Sequence, residues 1–196
     1  MTGVALTAYV ITPWRAWLDP GRSDRSQAFA LFLLFIATLA LSSMSYGILA
    51  IRHKARKGPL TGTREIGPPA LLAALSVLVE AVGLARHEPL LIVFPLLGLM
   101  TALEQIRYWR RAPAERMHWW YAHMSGMGTA SISAITAFLV TAVPRLVSEA
   151  WFRSPIIWIT PGVVLGSLLA RWAASYRARF ELSATTAGAG QRPTRP

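Results

Sequence analysis

The sequence contains no cysteine, which excludes a disulfide framework, a thiolate metal site and a cysteine nucleophile from this chain. It is poor in acid: nine Asp and Glu stand against twenty Lys and Arg, a formal net charge of +11. It also lacks a glycine-rich nucleotide loop, a G-x-S-x-G nucleophile elbow and an H-E-x-x-H helix, so a soluble-type enzyme is not expected and no catalytic residue is assigned. The first residues carry neither the basic n-region nor the small-residue cleavage site of a secretory signal.

What the chain does have is apolar length. With 54% hydrophobic residues in 196, and five long apolar runs, it reads as an all-α integral membrane helix bundle of one domain. In a soluble protein the positive charge would suggest nucleic acid. Here the basic residues cluster in the gaps between apolar runs, where membrane topology and anionic lipid account for them, and no nucleic-acid partner is expected.

Residues 1–26 hold a short apolar run, Val4 to Ile11, then Pro13, Trp14, Trp17 and Asp19-Pro20-Gly21. The run is too short to span, so it reads as an interfacial segment, or as the tail of a span whose beginning lies upstream of the chosen start. Residues 27–176 form the predicted transmembrane bundle. Its first span is Gln27 to Ile51, with Ser26 as N-cap and a basic stop at Arg52, Lys54, Arg56 and Lys57. Ser42, Ser43, Ser45 and Tyr46 give its later half a polar side. The loop Arg52 to Gly67 is expected to be aqueous. Pro68 and Pro69 then open a second span to Leu84, prolines being tolerated in a helix's first turn. A tight turn at Arg86 to Pro89 leads into a third span, Leu90 to Tyr108. After the basic loop Trp109 to Arg116 comes a fourth span. The fifth runs roughly from Ile156 to Trp172, with Pro161-Gly162 predicted to loosen it. Residues 177–196 are small, polar and proline-bearing and are expected to be disordered.

With five spans, fourteen Lys and Arg fall on the side of the Arg52 to Arg64 loop and six on the other. The positive-inside rule then places the N-terminus outside and the C-terminus in the cytoplasm of the cell's inner membrane.

The fourth apolar stretch, Met117 to Thr141, organises the rest. At about 1.5 Å rise per residue it exceeds the roughly 30 Å a bilayer core requires. Trp119, Trp120 and Tyr121 place its start at an interface. Ala122, Gly126, Ala130 and Ala134 recur every four residues, with Ser125, Thr129, Ser133 and Ala137 alongside. Such small-residue rows let helices approach closely in lipid. Gly126, Ala130 and Ala134 are therefore the expected packing residues, and this helix the expected centre of the bundle.

Ionisable groups at membrane depth mark the candidate functional positions: Glu80, Glu104 and His123. Glu80 falls near the middle of the second span with no base within one turn, so it is protonated, meets the Ser43 and Tyr46 side of the first span, or lines a wet path. Glu104 is expected to face Arg107 at i+3. His123 lies at nearly the depth of Glu104, within reach of a contact with it, as a proton relay, a ligand site or an interhelical hydrogen bond. No metal site is expected, and no cofactor: His118 and His123 are about 140° apart around a helix, His123 and Met127 share one face, and His53 and His87 sit in loops. One chain thus supplies no convincing axial haem pair.

The run WWYAHMSGMGTASISAITAFLVT, with YGILAIRHKARKG upstream, resembles a family of small bacterial polytopic membrane proteins of unknown function. The similarity covers Leu41 to Tyr176. It implies a helix bundle and lends weight to His123, and the family's additional helix before this point implies that the N-terminus is shortened here. The function expected is non-enzymatic, a small-solute or proton path touching Glu80 and His123, or a membrane partner subunit, with a homo-oligomer as one form of partnership. The alternative is a membrane redox protein holding haem or quinone at His123.

Overall fold

The structure, a computed structural model, describes residues 24–142 and 160–176. Among these every regular element is a helix: α1 (Asp24–Arg52), α2 (Thr63–Arg86), α3 (Pro89–Arg110), α4 (His118–Ala142) and α5 (160–176). Three of them, α1, α2 and α3, are long and apolar enough to cross a membrane. The expected interfacial segment and tail, apart from the first turn of α1, lie outside the described residues.

Burial identifies the hub. Half of the apolar span of α1 is buried inside the molecule, against 28% in α2 and in α3, and α1 packs on α2, α3 and α4. This corrects the expectation that the Met117 to Thr141 helix is central: α4 packs on α1 and, through Gly128 and Leu169, on α5. The large side chains carry the difference. Phe32, Phe35 and Leu39 of α1 fill the core with Leu72, Val79 and Leu91, whereas α4 offers mostly small residues. On the outside of α2 and α3, Leu71, Val77, Leu78, Leu97 and Met100 are more than half exposed. An apolar exterior of this kind is stable against acyl chains rather than water.

Two predicted boundaries move. Helix α1 already runs at Asp24, so Ser26 lies inside it and is not its N-cap. Helix α2 begins at Thr63, after Gly62 in extended conformation and with Glu65 in its first turn. The N–H groups of Glu65 and Ile66 bond the Gly62 carbonyl at 3.2 and 3.0 Å. The last five residues of the expected aqueous loop are therefore helical, and Pro68 and Pro69 sit in the second turn, where their missing N–H groups leave the Arg64 and Glu65 carbonyls without the usual donors. Trp109, expected in a basic loop, is the fully buried penultimate residue of α3.

Helices α2 and α3 form a tight hairpin. His87 takes the left-handed conformation (φ 54°), and its N–H and that of Glu88 close back onto the Leu84 and Gly83 carbonyls, the bonding of a Schellman cap. Pro89 starts α3 at once. Gly83 permits the close crossing that follows: a Cβ there would lie 2.5 Å from the Leu91 carbonyl group.

Candidate functional site

His123 is placed by a close crossing of α1 and α4. Gly126 of α4 faces Gly47 of α1, and a Cβ on Gly126 would lie 2.6 Å from the Ser43 carbonyl oxygen and 2.9 Å from the Gly47 backbone. Only a residue without a side chain lets the two backbones approach in this way. One turn before Gly126, His123 Nδ1 stands 3.0 Å from the Gly47 carbonyl oxygen. A carbonyl only accepts, so Nδ1 carries the proton and donates, which leaves Nε2 of the neutral ring as an acceptor.

On its other side His123 lines a cavity of about 640 Å3 between α4 and α5, walled by Met124, Met127, Ile132, Leu165, Leu169 and Trp172. The lining is almost wholly apolar apart from the histidine and Ser131. A half-buried imidazole fixed through Nδ1 to a backbone carbonyl is the arrangement that orients Nε2 toward a metal or a hydroxyl donor. The packing row is used unevenly: Ala122 and Gly126 are buried, Ala130 is half-buried and Ala134 is exposed.

The other two ionisable candidates lie elsewhere. Glu104 is exposed on α3 and lines a separate cavity of about 410 Å3 with Tyr46, Arg107, Tyr108 and His118. No hydrogen bond or ion pair joins it to His123 or to Arg107 among the described residues, so both expected contacts are absent; His123 is held by α1 instead. Glu80 is half-buried on α2. Glu80 lies six residues before Arg86, about 9 Å from that end of α2. It makes no hydrogen bond or ion pair with a described residue. The expected Ser43 and Tyr46 partners are otherwise engaged: Gln105 Nε2 donates to Ser43 Oγ at 3.3 Å, and the Tyr46 ring packs edge-on to Tyr108 and Trp109.

Sequence reasoning missed two features. Gln105 is a buried bridge between α3 and α1, accepting from Ser42 Oγ at 2.8 Å through Oε1 while donating to Ser43. Arg56 is a rivet between loops. Its Nη1 donates to the Gly58 and Arg111 carbonyls at 3.2 and 2.9 Å, its Nη2 to the Tyr108 carbonyl at 2.9 Å. The guanidinium carbon lies 4.3 Å over the Tyr108 ring, a cation–π contact. Beside it Tyr108 Oη and His118 Nδ1 are 2.9 Å apart, tying α3 to the start of α4. A glutamine at i−4 from a buried tryptophan was the available signal for the first; nothing in a run of basic residues singles out Arg56.

No family model, curated protein or solved structure matches the chain.

Proposed function

We propose that this is a multi-pass inner-membrane protein with five spans, N-terminus outside and C-terminus cytoplasmic, that binds a lipid-soluble ligand of the haem or quinol class at His123. The carrying observation is the pinned imidazole: Nδ1 bonded to the Gly47 carbonyl at 3.0 Å, on the wall of a largely apolar cavity of about 640 Å3. Pockets of this size with few polar groups suit small ligands, the polar group fixing orientation. A quinol hydroxyl donating to Nε2, or a haem iron accepting its lone pair, uses the same ring nitrogen. The rows of small residues in α4 and the fourteen-to-six partition of basic residues support the five-span topology.

A path through both Glu80 and His123 loses its support, because α2 packs on α1 and α3 while His123 lies between α1, α4 and α5. Glu80 supports a second reading, a membrane partner that supplies its missing hydrogen-bond donor.

The test is the absorption spectrum of the detergent-purified protein before and after dithionite, with quinone analysis of its lipid extract. A Soret band that shifts on reduction and is lost in His123→Ala identifies haem. Co-purifying quinone lost in the same variant identifies the quinol class. Neither chromophore nor quinone would overturn the reading.

A further inference from the structure

The loop end of the bundle carries a second site, unrelated to His123. Arg56 is half-buried, and its guanidinium meets only neutral groups: three backbone carbonyls and the faces of Tyr108 and Trp109. It forms no ion pair with a described residue, and its Nε is buried without a hydrogen-bond partner. A charge desolvated in this way and not cancelled by an acid projects an uncompensated positive field.

That field falls on a cleft. The α1–α2 loop contributes Lys54 and Lys57, the α3–α4 loop contributes Arg116, and with Arg56 they line a cavity of about 360 Å3 whose one carboxylate is Glu115. Four cations thus converge on one acid. Lys54, Lys57 and Arg116 are exposed and make no ion pair with a described residue. The two loops do not meet by chance: Arg56 holds the Arg111 carbonyl, and Leu60 N–H donates to the Trp109 carbonyl at 2.8 Å. Lining is polar, unlike that of the His123 cavity, and the cleft opens beside the ends of α1 and α3, both apolar enough to cross a membrane.

We propose that this cleft binds a phosphate group, presented by an anionic phospholipid headgroup or as free phosphate. Basic pockets at the ends of membrane helices recognise phosphate in this way, and lysine and arginine donors supply charge-assisted hydrogen bonds to its oxygens.

The experiment uses the full chain in detergent micelles. Phosphatidylglycerol and phosphatidylcholine are titrated in parallel by native mass spectrometry, and inorganic phosphate by thermal unfolding. The proteins compared are wild type, Lys54→Ser/Lys57→Ser/Arg116→Ser, and the charge-keeping Lys54→Arg/Lys57→Arg/Arg116→Lys. A headgroup source gives at least tenfold tighter binding of phosphatidylglycerol than of phosphatidylcholine, reduced by about fivefold per cation removed and kept by the charge-keeping variant. A free-phosphate source gives thermal protection by phosphate without lipid preference, lost in the serine variant alone. Should the triple variant fail to fold, Arg116→Ser carries the test with its own fivefold loss. Binding by neither probe, or equal binding by wild type and the serine variant, would overturn the proposal.

Discussion

The α1–α4 crossing and the loop end of the bundle are held by opposite means. At the crossing, α1 and α4 touch backbone to backbone at Gly47 and Gly126, and a directional bond beside it runs from a histidine to a carbonyl. At the loop end, α1, α3 and α4 are joined by Arg56, Tyr108 and His118 through charge-assisted and neutral hydrogen bonds and ring contacts. The difference follows the solvent. Burying apolar surface gains little in hydrocarbon, so close packing must do the joining there; near water, loop carbonyls need donors and a long cationic side chain can supply several at once.

The sharpest way to break this contrast is Gly126→Leu. Its side chain would enter the space of the Ser43 carbonyl and the Gly47 backbone, and a loss of about 3 kcal/mol or more is expected in a denaturation titration in mixed micelles. Gly58→Ala sharpens the comparison, because a Cβ there meets nothing within 4 Å and no change is expected. The next largest effect is Arg56→Lys. It keeps the charge but cannot bond three carbonyls from one plane, and a loss of about 2 kcal/mol is expected in the same titration. Retention of wild-type stability would show that the loop end is held by charge alone. The smallest loss is expected of Gln105→Leu, which leaves Ser42 and Ser43 buried without their partner; interhelical hydrogen bonds within membranes are worth about 0.6 kcal/mol each, so about 1 kcal/mol is expected.

Hydropathy alone located the three long apolar helices, because a run of twenty apolar residues has few other uses. Their ends were less legible. The rule that prolines open helices misplaced the start of α2, since Gly62 and Glu65 begin the helix one and a half turns earlier. The small-residue row of α4 was visible, yet a row cannot say which residue of another helix it will meet: Gly126 found Gly47, while Ala134 remained exposed. His123 drew attention by its depth, but its acceptor is a backbone oxygen, which every residue owns and no sequence advertises. Arg56 was concealed by company, being one of four basic residues read as a stop signal.

The Schellman turn at His87 has a consequence for how the molecule is made. Two residues, His87 and Glu88, separate α2 from α3, so these helices are neighbours as soon as both have been synthesised, and closing so short a connection sacrifices little chain entropy. The bond from His123 to Gly47, by contrast, spans 76 residues of sequence. Helix α1, the first described element to be synthesised, therefore waits with one flank uncovered until α4 has been translated, and any chaperone or insertase that shelters nascent membrane segments would find its substrate in that waiting flank.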